Sequence, residues 1–380
     1  MGSQVLVVLA AGAGRRFGGN KQLSAVGPAG EVLMDYTVAR AGQVGFRRVV
    51  VVTRAELATA MGEHFSRFAA LPVELVHQAR GTAGTVPAVM AARRLVGGEG
   101  TFAVVNADDL YPLDAMQALQ RWSGPGHAVV GFRLDRTTQL WSATVNRALC
   151  RVDRGGRLTG LEEVAVTAHD GQLWTGDPAG SAGPRPAAAP EPTVAEPAVA
   201  EPAVAEPAVP EPGEAGGRVV AGGRRVVAGE GPVGAGEGPV GAGEGVAGGR
   251  RAAAGEGPVA GGRRAAAGEG PVGVGGRRVA GDQLVSMNAW AFGPSIWHEL
   301  AAAAETGASE RAASKPGEIL IPVVMGSLVA RHAAKVTVLP VDGSCVGITW
   351  PDELATVRAH VAHLLAEGQL PTQIGGQQRP

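Results

Sequence analysis

Between Val5 and Lys21 the chain reads VLVVLAAGAGRRFGGNK, an apolar strand breaking into a glycine-rich turn with two arginines and then a lysine. Gly12, Gly14, Gly18 and Gly19 free the backbone to take positive φ and approach a ligand closely, so that amide N–H groups can point at phosphate oxygens. Arg16 and Lys21 add cationic side chains to the same turn. Lysine is used sparingly, since Lys21, Lys315 and Lys335 are the only ones and every other basic residue is arginine. Lys21 in this turn therefore hints at a compact contact to phosphate. The second chemical feature is Asn106-Ala107-Asp108-Asp109, directly after the apolar run Phe102 to Val105. Adjacent carboxylates at a strand end form a hard oxygen site suited to Mg²⁺ beside a triphosphate. The plainer alternative is an Asp pair capping a helix near Pro112. A phosphate loop and a strand-end aspartate on one sheet are the two halves of a nucleotidyl-transfer site.

Two commoner glycine-rich loops do not fit. A Walker A loop requires Gly-Lys followed by a hydroxyl residue, whereas Asn20 separates Gly19 from Lys21 and Gln22 stands where the hydroxyl belongs. A dinucleotide fingerprint requires G-x-G-x-x-G, but the sixth position counted from Gly12 is Phe17, and the next strand ends at Arg54 instead of an acidic residue.

These motifs need elements to hold them, and the apolar pattern supplies a β-α-β series. Strands are predicted at Gln4 to Leu9, Arg48 to Thr53, Val73 to His77, Thr101 to Val105 and Ala128 to Phe132. Helices are predicted at Met34 to Gln43, stopped by Gly45, and at Val86 to Leu95, stopped by Gly97 and Gly98. Continuous Val-rich strands indicate a parallel sheet covered on both faces, with ligands bound beyond the carboxyl ends of the strands. Gln283 to Phe292 contains a further strand. Pro351 to Glu367 reads as a helix with Leu354, Val357, Val361, Leu364 and Leu365 on one face, punctuated by Pro351 and Gly368, and it is expected to pack onto the sheet.

Not all 380 residues suit a core. From Pro178 to Gly281 the chain is almost entirely Ala, Gly, Pro, Val, Glu and Arg, with no aromatic residue and no Leu, Ile or Met. Such a stretch lacks the apolar volume to offset the entropy of ordering. Glu191, Glu196, Glu201, Glu206 and Glu211 recur in EP-x-VA units, and GEGPV and GGRR units follow, with periods too short for a stacked solenoid. The expectation is a proline-rich extended half and a flexible Gly/Arg half, tolerated as a surface loop or recruiting a partner. The remainder suffices for one large domain or two small ones. A net charge of −1 gives no basic footprint for nucleic acid, and two cysteines, Cys150 and Cys345, fit a reducing cytoplasm without a disulfide framework. Val5 to Ala11 is too short to span a membrane, so a soluble cytoplasmic protein is expected.

LAAGAGRRFGGNK resembles the signature loop of the sugar-phosphate nucleotidyltransferases, the group that includes nucleotide-sugar pyrophosphorylases. The segments VGPAGEVLMDYTVARAGQVGFRRVVVVTR, GTAGTVPAV, VVNADDLYP, SMNAWAF and VGITWPDEL follow in the order found in a bacterial branch of predicted nucleotidyltransferases. The resemblance covers nearly all of residues 4–177 and 282–371. It implies a three-layer, Rossmann-like α/β nucleotidyltransferase fold with a mixed, mostly parallel central sheet. It also implies one domain in two parts, 1–177 and 282–371, split by a long disordered loop insertion at 178–281 and followed by a flexible tail, 372–380.

Carried onto this sequence, the resemblance implies that Ala11, Gly12, Gly14, Arg16 and Lys21 hold the nucleotide and its phosphates. Asp108 would be the metal ligand, for Mg²⁺. Gln78, Gly81 and Thr82 would contact the base, and Glu163 and Asn288 the sugar of the second substrate. Four features depart from the pattern. Gly84 replaces a histidine, Pro87 intrudes into the following helix, the stretch Gln78 to Gly81 is short, and Gly347 stands near where many pyrophosphorylases carry a second metal-binding Asp or Asn. The implied reaction is in-line attack of a sugar 1-phosphate oxygen on the α-phosphorus of a nucleoside triphosphate, with pyrophosphate leaving. Nucleotidyl transfer to a non-sugar phosphate is the rival within the enzyme class, and a nucleotide-binding regulatory protein without turnover is the rival outside it. The implied partners are a nucleoside triphosphate and a small phosphorylated acceptor, with no nucleic acid and no membrane, and with a homo-oligomer compatible. The absence of hexapeptide repeats argues against an appended acetyltransferase domain.

Overall fold

The computed structural model describes residues 3–12, 14, 17, 19–97, 100–137, 144–169, 172–175, 277–305 and 318–375. Most of the expected insertion, the last five residues of the expected tail, and Arg16 and Gly18 of the glycine turn lie outside the described residues.

The first part of the chain runs β1 (Val5–Leu9), α1 (Leu33–Val44), β2 (Arg48–Thr53), α2 (Ala58–Phe68), β3 (Val73–His77), α3 (Thr85–Val96), β4 (Phe102–Asn106), β5 (Asp109–Leu110), α4 (Leu113–Arg121) and β6 (His127–Arg133). A meander follows as β7 (Val145–Val152), β8 (Leu158–His169) and β9 (Gln172–Thr175). The later part adds β10 (Arg277–Val279), β11 (Leu284–Ser286), β12 (Trp290–Phe292), α5 (Ile296–Glu305), α6 (Ile321–Ala330), β13 (Val336–Val341), β14 (Val346–Gly347) and α7 (Glu353–Ala366).

The centre of the sheet has the order β3-β2-β1-β4-β12-β6-β13, in which only β12 runs against its neighbours. β1 is flanked by parallel partners on both edges, with Val7 opposite Val50 on one side and Val104 on the other. That double burial is why Val5 to Leu9 reads as an unbroken apolar run. Alternate residues serve opposite faces: Leu6 and Val8 pack under α1, α2 and α4, while Val5, Val7 and Leu9 pack under α3, α5 and α6. The result is the mixed three-layer α/β fold that the resemblance implies. On the far side of β6, the antiparallel series β11-β7-β8-β9-β10 extends the sheet.

The expected strand at Gln283 to Phe292 is two strands. β11 and β12 lie in succession along one edge of β6, the first continuing to β7 and the second filling the gap beside β4. Asn288 sits at the fork with φ +56°, a conformation asparagine tolerates better than most side chains.

Three further expectations change. Arg277–Val279, which composition places inside the low-complexity stretch, pairs with Leu173–Thr175 as β10 and buries Val279. Its letters are those of the repeats, so only the partner strand distinguishes it. The tail expected from 372 is packed as far as Ile374, which is buried in the cluster formed by α7. Finally, α7 does not pack onto the main sheet. Val357, Val361 and Leu364 meet Leu33, Tyr36 and Ala39 of α1, with Leu110, Val346 and Ile348 from the small β5–β14 ladder. α1 is thus covered on both sides, which explains why Leu33 to Ala41 is buried without interruption. Its two charged residues find partners there, Asp35 in His64 Nε2 at 2.8 Å and the Val32 N–H, and Arg40 in the carbonyls of Tyr111 and Gln369, although Arg40 Nε is buried without one.

Candidate functional site

A cleft of about 680 Å³ opens over the carboxyl ends of β1 to β4. Leu9, Ala11, Gly12, Gly14, Lys21 and Gln22 line it after β1, and Arg54 and Glu56 after β2. Gln78 to Thr85 line it after β3, Asn106 and Asp108 at the end of β4, and Glu318, Leu320 and Thr349 come from later in the chain. Of the residues singled out from sequence, Ala11, Gly12, Gly14, Lys21, Gln78, Gly81, Thr82 and Asp108 share this one cavity. Glu163 and Asn288 are not among its described lining residues: Glu163 is exposed on β8, opposite Ala148 of β7, and Asn288 lies behind the acidic turn.

The glycine turn is held in shape from within. Gly14 has φ +59°, and a Cβ there would stand 2.4 Å from the carbonyl oxygen of Gly19, so this crossing of the loop requires glycine. Gln22, whose identity rules out a P-loop, is buried and donates from Nε2 to the Gly12 carbonyl at 2.7 Å, pinning the end of the turn to its beginning. This short 3₁₀ turn, Lys21–Leu23, then delivers the Lys21 ammonium to the carboxylate of Asp108, while Nζ also donates to the Ile348 carbonyl at 3.3 Å. The contact joins residues 87 apart in sequence.

Asp108 and Asp109 have different environments. Asp108 is partly exposed in the cleft. Asp109 turns inward, accepts from Asn106 Nδ2 at 2.9 Å, and is pushed up to about 6 by burial and, next, by the charge of Asp108. Neither caps α4, whose N-cap residue is Pro112 without a side-chain cap. Asn106 is the hub of this end. Its Oδ1 accepts from Asn288 Nδ2 at 2.7 Å, its backbone N–H donates to the Tyr111 hydroxyl at 3.0 Å, and that hydroxyl donates to the Met287 carbonyl at 2.8 Å. Asn288 Oδ1 in turn accepts from Trp290 Nε1 at 3.0 Å. The fork between β11 and β12 therefore supports the acidic turn, a role with no sequence signal because Asn288 and Asn106 are 182 residues apart.

The turn after β3 is held more lightly. Gln78 Nε2 donates to the Thr82 carbonyl at 3.1 Å and Thr82 Oγ1 donates to the Ala79 carbonyl at 2.7 Å, all in exposed positions. Three of the departures from the family pattern have local causes. Gly84 has φ +98°, and a Cβ would stand 2.3 Å from the carbonyl oxygen of Ile319, whose backbone joins this turn through Ile319 N–H to the Ala83 carbonyl at 3.0 Å. No histidine fits there. Pro87 lies in the first turn of α3, where its missing N–H has no helical partner to lose. At Gly347 a Cβ would stand 1.9 Å from Asp109 Oδ1, so the inward carboxylate occupies the space a second ligand's side chain would need.

Mg²⁺ commonly takes one or two carboxylates and completes its shell with water and substrate phosphates. Among the described residues no three His, Cys, Asp or Glu side chains cluster as a metal site, and the cleft offers the Asp108 carboxylate beside the Asn106 amide. That donor set fits a substrate-borne Mg²⁺ but not a cage made of protein alone. No helix among the described residues is long and apolar enough to cross a membrane.

Comparison with known proteins agrees with the fold. The inositol-1-phosphate CTP transferase from T. maritima superposes with a TM-score of 0.50 at 10% identity, covering 95% of this chain and 97% of that one, a likeness of fold. No curated protein matches the sequence. The model of the MobA-like NTP transferase domain matches residues 6–216, more than half of the chain, and spans the glycine turn, the turn after β3 and the acidic turn described above. The protein is thereby a member of the MobA-like NTP transferase family, a nucleotidyltransferase by its domain.

Proposed function

We propose that the chain transfers a nucleoside monophosphate from a nucleoside triphosphate to a sugar 1-phosphate, with release of pyrophosphate. The observation that carries this reading is the meeting of Lys21 and Asp108 in a cleft that also gathers the glycine turn and the Gln78–Thr82 turn. The attacking phosphate oxygen is already an anion, so no general base is needed, and the work of the protein is positioning and charge stabilisation. Backbone N–H groups of the Gly12–Gly14 turn face phosphate oxygens. Lys21, held by Asp108 in the unliganded chain, turns its ammonium to the charge that accumulates on the transferring and leaving phosphates. Arg16, outside the described residues, is assigned to the same task from sequence. Asp108 would hold Mg²⁺, which would supply Lewis-acid stabilisation of that charge. Gln78, Gly81 and Thr82 hold the base. Glu163 and Asn288 are assigned to the acceptor. Asn288 keeps one amide hydrogen and one lone pair beyond its bonds to Asn106 and Trp290.

Pyrophosphate release measured with Mg²⁺ across nucleoside triphosphates and phosphorylated acceptors tests this, with sugar 1-phosphates, polyol phosphates and non-sugar phosphates as separate sets. Release that requires a sugar 1-phosphate supports the proposal. Release only with another acceptor would retain nucleotidyl transfer and discard the sugar, and triphosphate binding with silence throughout would favour a regulatory protein. The local causes found for Gly84 and Gly347 weaken that last alternative, because neither position records the decay of a catalytic side chain.

A further inference from the structure

Two cations that line the cleft, Arg54 and Arg80, have no part in the chemistry proposed above, and Arg80 is the exposed one of the two. Arg54 follows β2 directly, and its side chain lines the cavity between the loop after β1 and the turn after β3. Its Nε is buried without a hydrogen-bond partner, and it forms no ion pair among the described residues, while the nearby Glu56 stands 4.0 Å from Arg80. The enclosed Nε is out of a ligand's reach, but the terminal guanidinium nitrogens are not enclosed and donate to no described residue, so they are the donors a bound group in the cleft would meet.

The sheet itself measures where that group lies. In the order β3-β2-β1-β4, adjacent strands are about 4.8 Å apart, so the ends of β3 and β4 are separated by about 14 Å. Lys21 and Asp108 mark the β1–β4 side and Gln78 to Thr82 the β3 side. A nucleotide whose phosphates rest at Lys21 and Asp108 extends its base over the ends of β2 and β3, and Arg54 stands at the end of β2. We infer that Arg54 reads the base of the triphosphate and selects bases that present a carbonyl oxygen, namely guanine, cytosine or uracil, over adenine. The reason is chemical: guanidinium only donates, in a planar fork. It can span a carbonyl oxygen and a neighbouring accepting ring nitrogen in guanine, at O6 and N7, and in cytosine, at O2 and N3, and it can donate to a carbonyl oxygen alone in uracil, whose N3 carries a hydrogen. Adenine sets an amino donor beside the ring nitrogens on those edges. The inference rests on the cleft being the nucleotide site.

The test is the affinity of the full-length protein for GTP, CTP, UTP, ATP and inorganic tripolyphosphate, each with Mg²⁺, by calorimetry. Wild type is compared with Arg54→Met, which keeps the apolar stem without donors, and Arg54→Lys, which keeps the charge without the fork. At least one carbonyl-bearing triphosphate is expected to bind wild type more tightly than ATP by roughly 5- to 150-fold, the discrimination of a good bidentate contact. Arg54→Met should erase that preference and Arg54→Lys should reduce it, with tripolyphosphate affinity unchanged in both. If Arg54→Met fails to fold, as its melting temperature would reveal, Arg54→Lys carries the same comparison. The inference is overturned if ATP binds wild type as well as the others, if the preference survives in a folded variant, or if tripolyphosphate affinity falls in parallel with that of nucleotides. Failure of wild type to bind any of the five probes would instead overturn the cleft as a nucleotide site.

Discussion

The two ends of the cleft are built on opposite plans. At the β4 end every polar group is held by another, with Lys21 on Asp108, Asp109 on Asn106, Asn106 on Asn288 and Asn288 on Trp290. At the β3 end, the bonds of Gln78 and Thr82 are exposed and, among the described residues, stay within their own turn. The first plan fixes charge within a partly buried network drawn from distant parts of the chain, which is what preorganised stabilisation of a transition state requires. The second leaves side chains free to adapt, which suffices for grip. On the proposed function this difference divides chemistry from recognition along the sheet, and substitutions should divide in the same way.

The largest effect belongs to the β4 end. Lys21→Ala is expected to lower kcat by about 10²- to 10³-fold, equivalent to roughly 2.7–4 kcal/mol of transition-state stabilisation, with a much smaller change in nucleotide affinity. Steady-state kinetics beside calorimetric binding reads both, and an equal loss in each would break the division.

Next comes the buried carboxylate. The folded state holds the Asp109 proton up to about pH 6, whereas the unfolded chain releases it near the ordinary value of 3.8. Between those limits the native state binds more protons than the unfolded one, so this group makes stability fall as pH rises from about 4 to 6, with no further change above. The drop is on the order of 3 kcal/mol at most. Denaturant melts of wild type and Asp109→Asn in metal-free buffer measure it as a difference that grows across that window. A constant difference would place Asp109 in a wetter setting than its burial implies.

Gly347→Ala should destabilise by about 1–3 kcal/mol, since the new methyl would displace the Asp109 carboxylate from its bond to Asn106. A melting temperature equal to that of wild type would show that this corner has slack. The smallest effect is expected at the other end. Thr82→Ala removes an exposed donor worth about 0.5–1.5 kcal/mol, so KM for the triphosphate should rise by roughly ten-fold or less while kcat holds.

What sequence reveals follows the same division in part. β2 and β3 are legible to the residue for different reasons: β2 is buried on both faces and reads as an uninterrupted apolar run, whereas β3 is a half-buried edge strand that mixes Val73, Leu75 and Val76 with the polar Glu74 and His77. The glycine turn and the strand-end aspartate are legible because their residue types stand out at short spacing in the pattern that phosphate and metal chemistry would select. α7 is legible as a helix but not in its partner, since an apolar face does not say what it covers. α4 shows the opposite case: its nine residues include Asp114, Gln117, Gln120 and Arg121 around a narrow seam of Ala115, Met116 and Leu119. The support that Asn288 and Tyr111 give to the acidic turn is invisible beforehand, because it depends on a fork in the sheet created by strand pairing. Arg54 is seen in sequence only as an unsuitable partner for a ribose, and its place in the cleft emerges from strand order.

The most direct measurement follows the label from a nucleoside triphosphate carrying ³²P at the α-phosphorus, incubated with Mg²⁺ and a phosphorylated acceptor in wild type and Asp108→Asn. The account predicts that label moves to the acceptor while pyrophosphate leaves unlabelled, and that Asp108→Asn binds the triphosphate yet transfers at least a hundred-fold more slowly, the loss of one strong stabilising contact. Undiminished transfer by Asp108→Asn would contradict it, because the reacting phosphates would then lie away from the Lys21–Asp108 contact.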